Sequence, residues 1–279
     1  MSPTFLFFDL TFTEKDAIMR LNLIEEDHAM KITFLGTSHG VPEKGRLCTC
    51  TMIEAGNSIY FVDAGVPIVN ALIDRDRGVK DVRALFTTHV HGDHTAGLFQ
   101  FADLVDWYYR EHSMDFYIAD EVLIDALKTM IQACNGGNPV HEDRLHFHVI
   151  DPQVAYEDEN IKVEFIPTKH MARVEGYHSY AMLVTEGEHR VLFSGDLSHQ
   201  LALGDVPEIL SKEPIDAFIC EMAHFYPEHI QPYLETCKAK AVYFHHINSQ
   251  QKKMPLVRAL NGKFDFPVYV PDDGDSFEV

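Results

Sequence analysis

Four side chains that can bind a metal ion lie within six residues, His89-Val90-His91-Gly92-Asp93-His94. Neutral imidazoles and a carboxylate are ligands that Zn²⁺ accepts, and Mn²⁺ or Fe²⁺ are alternatives. The apolar run Val82 to Phe86 precedes the segment and predicts a strand. The four side chains are therefore expected on a tight loop at a strand end, where they can face two neighbouring ions.

Four further sites share one feature with this hexapeptide. In each, a residue that can bind metal or carry a proton stands at, or just after, the end of an apolar strand. They are His170, Asp196, Glu221 and the pair His245-His246. Strand ends on one edge of a sheet converge on a common crevice, so residues distant in sequence can build one site.

The elements that would position these residues alternate from Lys31 onward. Runs typical of strands and helices follow one another to about Val270, and they favour two mixed β-sheets packed face to face with helices outside. Residues 1–30 are interpreted as an N-terminal extension, with a short helix expected after Thr13. Residues 31–279 are interpreted as one domain.

Composition restricts the class of protein. The chain has 279 residues, is 46% hydrophobic and carries a formal net charge of −20, which disfavours a broad basic surface for nucleic acid. Its five cysteines are odd in number and indicate reduced thiols in a cytoplasmic protein. For Cys48 and Cys50 we expect free thiols, with a structural zinc site as the alternative. No apolar run approaches transmembrane length, so no membrane partner is expected.

The motifs together resemble the metallo-β-lactamase superfamily of binuclear metallohydrolases, from about Lys31 to the C-terminus. His89-x-His91-x-Asp93-His94 matches the superfamily's hallmark motif, and the later His, Asp and His follow in its order. The segments 34–42, 169–177 and 193–196 are similar to the ribonuclease Z-like branch. Segment 220–225 resembles that branch's His-Glu-Ala-Thr segment, with Cys220 in place of the first His. The resemblance implies an αββα four-layer sandwich with its site at one edge.

The resemblance also implies two divalent ions, with zinc first and manganese or iron as alternatives. Three residues would hold the first ion, His89, His91 and His170. Three would hold the second, Asp93, His94 and His246, with His245 as the rival of His246. Asp196 would bridge the two ions together with a water or hydroxide. Each ion would lower the pKa of bound water from about 16 towards 7, so that hydroxide forms at neutral pH.

Weaker candidates surround this set. Asp93 and Glu221 are assigned catalytic roles, Glu221 by orienting a histidine, although a strand-end carboxylate with a backbone partner is the alternative. His229 would contact substrate phosphate or donate a proton to the leaving group; the alternative is an exposed helical histidine. In the opening loop, the charged side chains of His39, Lys44 and Arg46 are expected to be solvated, with anion binding as the alternative.

The sequence predicts the substrate less directly than it predicts the metal ligands. Ribonuclease Z proper binds transfer RNA with a flexible arm, usually inserted between the third and fourth metal motifs, whereas only residues 171–195 separate His170 from Asp196 here. We therefore expect a phosphodiesterase that acts on a small nucleotide or cyclic phosphate, and a homodimer by resemblance. The alternatives are a ribonuclease Z-type transfer-RNA 3′ endonuclease, an ester, lactone or sulfate ester hydrolase, and a non-catalytic metal-binding or sensing protein.

Overall fold

The computed structural model describes residues 30–201, 204–248 and 251–279. The N-terminal extension, with its expected helix after Thr13, therefore lies outside the described residues apart from Met30. In the described part the alternation of strands and helices is confirmed. Most elements begin and end within a few residues of the positions that the sequence predicts.

Fourteen strands are described in chain order. They are β1 (Lys31–Gly36), β2 (Cys50–Ala55), β3 (Ser58–Val62), β4 (Val82–Phe86), β5 (Met114–Ile118), β6 (Leu145–Val149), β7 (Tyr156–Glu157), β8 (Lys162–Pro167), β9 (Tyr180–Glu186), β10 (His189–Phe193), β11 (Ile215–Glu221), β12 (Ala239–His245), β13 (Val268–Tyr269) and β14 (Ser276–Glu278). The short strands β7 and β14 were not predicted, because two or three residues are too few to show an alternating pattern.

The strands form two seven-stranded mixed sheets. The first has the order β14-β1-β2-β3-β4-β5-β6, and the second has the order β13-β12-β11-β10-β9-β8-β7. Strands β3 to β6 run parallel in the first sheet, and β10 to β13 run parallel in the second. The remaining neighbours pair antiparallel.

The described part of the chain contains seven α-helices. They are α1 (Ile68–Ile73), α2 (Gly92–Thr95), α3 (Leu98–Tyr108), α4 (Glu121–Cys134), α5 (Ile209–Lys212), α6 (Pro227–Leu234) and α7 (Met254–Arg258). Helices α2 and α3 are separate, with Ala96 and Gly97 between them, and α3 lies within the run 96–111 that the sequence predicts as helical. Gly97 lies between them so close to the backbone that an added Cβ would stand 1.9 Å from the carbonyl oxygen of Val66.

Three apolar clusters define the four layers. The central cluster lies between the sheets and combines, for example, Ile32 and Phe86 of the first sheet with Met182 of the second. Each outer cluster packs one sheet against its helices. In β2, Met52 faces the outer cluster and Ile53 the central one, so both faces of the strand are buried. Burial on both faces explains the continuous apolar runs in the sequence. The expected αββα sandwich is confirmed.

Segments that carry polar side chains meet at one edge of this sandwich, since residues directly after β4, β8, β10 and β12 approach one another there. The hexapeptide is only partly a loop. His89 to His91 follow β4 in extended or bent backbone, whereas Asp93 and His94 lie on α2. No helix in the described part of the chain is long and apolar enough to cross a membrane.

Candidate metal centre

Four side chains converge in a first cluster, His89, His91, His170 and Asp196. The Nε2 atom of His89 and the Nδ1 atom of His91 are 2.9 Å apart, and Nε2 of His170 lies 3.2 Å from the same Nδ1 atom. Asp196 Oδ2 lies 3.7 Å from Nε2 of both His89 and His170. His89 is fully buried and His91 is exposed, so the cluster opens to solvent on one side.

Three side chains converge in a second cluster, Asp93, His94 and His246. Asp93 Oδ2 lies 3.6 Å from Nε2 of His94 and 3.7 Å from Nε2 of His246. His246, and not the neighbouring His245, therefore belongs to this group. The ring of His245 lies instead 3.4 Å from the hydroxyl of Thr49, measured from Nδ1, and its centroid is 5.8 Å from that of Phe34.

Asp196 joins the two clusters. Its Oδ2 atom, which faces the first cluster, also lies 3.4 Å from Nε2 of His94, and its Oδ1 atom lies 3.3 Å from Nε2 of His246. Both Asp196 Oδ1 and His94 Nε2 are buried without a hydrogen-bond partner. Buried polar atoms without partners are rare in folded proteins unless an ion or water satisfies them.

The donor set fits divalent cations. Around a tetrahedral zinc ion with bonds of about 2.0–2.1 Å, ligand atoms stand roughly 3.3 Å apart. The distances in the two clusters, from 2.9 to 3.7 Å, bracket that value. Lone pairs that face one another across such gaps repel unless a cation or proton stands between them. The residues present therefore fit divalent metal ions.

Asp63 orients histidines of both clusters. Its Oδ2 atom lies 2.7 Å from Nδ1 of His94, so that ring nitrogen carries a proton and Nε2 is the atom that faces the cluster. The hydroxyl of Thr88 donates to Asp63 at 3.0 Å and lies 3.1 Å from Nδ1 of His89. The same arrangement thus leaves Nε2 of His89 unprotonated. Nδ1 of His246 is fixed by the Ser38 carbonyl oxygen at 3.1 Å.

The backbone of the site adopts conformations that most residues avoid. Asp63 and His246 have φ of +63° and +50°. Gly195 has φ of +55°, and an added Cβ there would lie 2.4 Å from the Tyr180 carbonyl oxygen. Residues other than glycine adopt a positive φ only where the surrounding structure holds them in place, and such positions are concentrated at functional sites. Asp63 was not singled out from the sequence, although it directly follows β3 and so meets the strand-end criterion that identified the other candidates.

The electrostatics favour positive charge at the shared carboxylate. Burial alone would lower the pKa of His94, but Asp196 and Asp63 raise it well above its ordinary value. Burial would likewise raise the pKa of Asp196, but His246 and His94 hold it well below the usual range. Asp196 therefore stays a carboxylate in a buried setting, as a metal ligand must. Burial lowers the pKa of His89 and His170, which keeps these imidazoles neutral.

Glu221 lies beside the clusters, and its carboxylate holds the neighbouring backbone through hydrogen bonds. Its carboxylate accepts hydrogen bonds from the backbone N–H groups of Leu197 at 2.9 Å and Ala223 at 2.6 Å, and it lies 2.9 Å from Nδ1 of His224. His224 is 3.7 Å from Asp196, and its ring contacts that of His170 with centroids 4.6 Å apart. Although burial opposes it, Glu221 raises the pKa of His224 to about 9. The sequence assigned His224 no role of its own, although it lies three residues after β11, the same offset as His170 after β8.

The buried Lys253 fixes the same loop. Its ammonium group donates to the carbonyl oxygens of Met222, Ala223 and Phe225, each at 2.8 Å. These three carbonyls surround the segment that carries His224. The loop is therefore held from one side by a carboxylate and from the other by a cation.

Two sequence-based candidates lie apart from the clusters. His229 is exposed on the first turn of α6, where its Nδ1 accepts a hydrogen bond from the backbone N–H of Tyr226 at 3.2 Å. Arg46 is only 4% exposed, so the expectation of a solvated charge was wrong for this residue. Its guanidinium instead donates to Thr37 and to the carbonyl oxygen of Pro271, because the opening loop packs against the C-terminal segment.

The cysteines are free thiols, as the sequence predicted. Neither Cys48 nor Cys50 belongs to a metal-binding group among the described residues. In the opening loop, Lys44 is exposed and Gly40 lies close to the second cluster. An added Cβ on Gly40 would stand 3.3 Å from Asp93 Oδ2, so the loop passes directly over that carboxylate.

One protein family covers most of the chain. The family model described as "Anti-Pycsar protein Apyc1" matches residues 30–254, a span that includes all seven residues of the two clusters.

Curated relatives named ribonuclease Z are similar over shorter stretches. The protein from Gloeothece citriformis (strain PCC 7424) is 30% identical over 151 residues, which cover 53% of this chain and 46% of that protein. The protein from Pseudomonas putida (strain W619) is 49% identical over 71 residues, which cover 25% of this chain and 22% of that protein. The similarity thus spans about half or less of the length of these relatives.

Solved structures share the fold at low sequence identity. The metallo-β-lactamase fold protein YhfI from Bacillus subtilis superposes with a TM-score of 0.70 at 17% identity, covering 90% of this chain and 100% of that one. The short form of human tRNase Z (ELAC1) gives 0.65 at 17% identity, covering 88% and 98%. A diphosphatase from the PhnP family gives 0.64 at 20% identity, covering 90% and 97%. The chain is similar over part of its length to proteins named ribonuclease Z, it shares the metallo-β-lactamase fold, and it belongs to the family described as "Anti-Pycsar protein Apyc1".

Proposed function

We propose that this protein is a binuclear metal-dependent phosphodiesterase whose substrate is a small nucleotide or a cyclic phosphate. The observation that carries the proposal is the position of Asp196 between the two clusters, with one carboxylate oxygen towards His89 and His170 and the other towards His246. A carboxylate shared in this way suits two adjacent cations, since its charge offsets their repulsion. When bound, the ions would supply a water of lowered pKa and neutralise charge on the phosphate.

The ligands divide between the two ions by cluster. His89, His91 and His170 would hold one ion, and Asp93, His94 and His246 would hold the other, with Asp196 shared. Zinc is the preferred metal, because it suits imidazole and carboxylate ligands; manganese and iron suit them as well. Asp93 would act as a catalytic residue as well as a metal ligand.

We assign proton transfer to the leaving oxygen to His224. Its ring is partly exposed beside the clusters, and Glu221 fixes its Nδ1 atom, which leaves Nε2 as the atom that can face a substrate. Glu221 acts as a positioning residue for this histidine. His229 remains a weaker candidate for this proton, because its exposed ring already accepts a backbone hydrogen bond within α6.

We also propose that residues 31–279 form one hydrolase domain and that the protein acts in the cytoplasm as a homodimer. The family resemblance supports the dimer and the composition supports the compartment.

A hydrolysis panel with Mn²⁺ and Zn²⁺ tests the activity. It compares bis-p-nitrophenyl phosphate, cyclic nucleotides, an aryl sulfate and a lactone, with Asp196→Asn as the control that keeps the shape of the side chain. We expect metal-dependent cleavage of the phosphodiesters that this variant loses. Turnover of the lactone or sulfate without any phosphodiester cleavage would contradict the proposal.

Cleavage of precursor transfer RNA is the second candidate function, because the curated relatives are named ribonuclease Z. The short connection between β8 and β9 and the net charge of −20 speak against a large polyanionic substrate. Incubation with a precursor transfer RNA would decide between the two. Cleavage at its 3′ end, at a rate above that of the small substrates, would favour the second candidate.

A further inference from the structure

Asp205 is a buried carboxylate that joins two loops of the candidate metal centre. It lies on the connection between β10 and α5 and is only 4% exposed. Its Oδ1 atom accepts a hydrogen bond from the backbone N–H of Lys169 at 2.6 Å, and its Oδ2 atom accepts one from the backbone N–H of Ser198. Lys169 directly precedes His170, and Ser198 follows Asp196 by two residues. The carboxylate therefore spans the segments that carry two candidate metal ligands.

Neutral contacts between the same segments are longer. The hydroxyl of Thr168 donates to the backbone carbonyl oxygen of Asp196 at 3.3 Å. The ammonium group of Lys169 donates to the carbonyl oxygen of Gly204, next to Asp205, at 3.4 Å. Hydrogen bonds to a carboxylate are roughly twice as strong as those between neutral groups. Asp205 therefore makes the strongest of these described links between the two loops.

The segment that carries Asp205 is itself fixed to the second sheet and its helices. Leu201 and Val206, on either side of Asp205, are buried in the outer apolar cluster of that sheet. The hydroxyl of Tyr233, on α6, donates to the carbonyl oxygen of Leu201. An anchored carboxylate can hold the loops that it contacts, because it does not move with them.

We propose that Asp205 is a positioning residue of the metal centre, which holds His170 at its distance from the shared carboxylate of Asp196. Asp196 Oδ2 and Nε2 of His170 are 3.7 Å apart. Of the seven residues of the two clusters, the joined loops carry only these two, so Asp205 acts mainly on the ion proposed for the first cluster. The inference rests on the proposed binuclear function and deepens it, since it assigns the spacing of two ligands to a residue outside both clusters.

The test removes the acceptors of Asp205 in two steps. Asp205→Ala removes both, whereas Asp205→Asn keeps one carbonyl oxygen. The same two substitutions at Asp158 are the matched control. Oδ1 of Asp158 also accepts from two backbone N–H groups, those of Asn160 and Ile161, each at 2.9 Å, but this carboxylate lies between β7 and β8 and contacts neither loop.

Competition with a zinc chelator measures the affinity for each ion in a separate background. His246→Ala removes a ligand of the second cluster, so it reports the ion of the first cluster, and His170→Ala reports the ion of the second. In the first background we expect Asp205→Ala to weaken zinc binding about 10- to 100-fold, with Asp205→Asn intermediate. In the His170→Ala background the loss should be under about threefold, because one joined loop no longer carries a ligand.

A merely structural role would not separate the two ions. Equal losses in the two backgrounds, unchanged zinc affinity in both, or losses of the same size in the Asp158 variants would overturn the assignment.

Hydrogen exchange of the metal-free protein gives a readout that requires no zinc. If the wild-type protein binds no zinc, the binuclear proposal fails, while hydrogen exchange still tests whether Asp205 holds the two loops. Asp205→Ala should speed exchange in residues 168–171 and 196–199 about tenfold, the effect of one lost hydrogen bond, and Asp158→Ala should not. Unchanged exchange in both segments of Asp205→Ala would contradict the inference.

Discussion

Asp63 Oδ2 lies 2.7 Å from Nδ1 of His94, and this buried contact fixes which nitrogen of the ring faces the second cluster. The same carboxylate accepts from the hydroxyl of Thr88, which orients His89 in the first cluster. One side chain outside the hallmark motif therefore aligns histidines of both clusters.

The first prediction is that Asp63→Asn weakens metal binding about 10- to 100-fold, the usual effect of removing a carboxylate behind a ligating histidine. Asparagine tolerates the left-handed backbone at φ +63°, so the variant should fold. Competition with a zinc chelator measures the affinity. Asp76→Asn is the matched control, because Asp76 is exposed and has φ of +54°. Equal zinc affinity in the Asp63 and Asp76 variants would contradict the role given to Asp63.

The second prediction concerns Glu221. Glu221→Ala leaves the backbone N–H groups of Leu197, Ala223 and His224 without their partner, so we expect the free energy of unfolding to fall by about 3 kcal/mol. Urea denaturation measures this change. Exposed Glu228 provides the control, since Glu228→Ala removes a carboxylate close by in sequence and should cost under about 0.5 kcal/mol. A loss for Glu221→Ala no greater than that of the control would show that these contacts do not stabilise the loop.

The third prediction contrasts two glycines. An added Cβ on Gly65 would stand 2.1 Å from the carbonyl oxygen of Asp93 and 2.6 Å from that of Thr49. Gly65→Ala should therefore cost more than about 2 kcal/mol of stability and weaken metal binding, because backbone must move. Gly92 lies inside the hallmark motif, yet an added Cβ there meets no atom within 4 Å. Gly92→Ala should leave stability within about 1 kcal/mol of the wild type. Thermal melts of both proteins check the order, and the reverse order would contradict it.

Gly65 and Gly92 illustrate which features of the site can be predicted from the sequence and which cannot. The alternation of apolar strands and helices predicted two packed sheets, and the ligand types after strand ends predicted that His89, His170, Asp196 and His246 lie together. Strand ends are visible in a sequence because apolar runs stop there. Close approaches between backbone segments, such as that of Gly65 to Asp93, depend on packing between elements far apart in the chain, and no local pattern records them.

The contacts of charged side chains are equally hard to predict from the sequence. In the sequence, Arg46 is one of several charged residues in a polar loop. Its burial is explained by the packing of that loop against the C-terminal segment. Lys253 binds three carbonyls of a loop about thirty residues away. The contacts of His224 with Glu221 and Asp196 likewise become visible only in the structure. Partners of this kind emerge from tertiary structure.

The fourth prediction is a pH dependence at Asp158, which lies away from the metal-binding clusters. Burial would raise the pKa of this carboxyl, but hydrogen bonds from Tyr60 and Tyr156 and from two backbone N–H groups lower it below 3.8. A depressed pKa contributes stability above the unfolded value, and that contribution is lost as the pH falls through the folded value.

Asp158→Asn should therefore be less stable than the wild type by about 1–2 kcal/mol at pH 7, and the difference should shrink below pH 4. Urea denaturation of both metal-free proteins at pH 7 and pH 3 measures it. Exposed Asp143 provides a control, since Asp143→Asn should show little difference at either pH. A difference that is constant with pH would mean that the carboxylate's charge does not stabilise the contacts with the two tyrosines.

The central claim is that two ions share Asp196, and the number of tightly bound metal ions per chain tests it most directly. Elemental analysis after removal of free metal should find two ions in the wild type and in His245→Ala, about one in His246→Ala, and almost none in Asp196→Asn. One ion or fewer in the wild type, or two ions retained by His246→Ala and Asp196→Asn, would contradict the account.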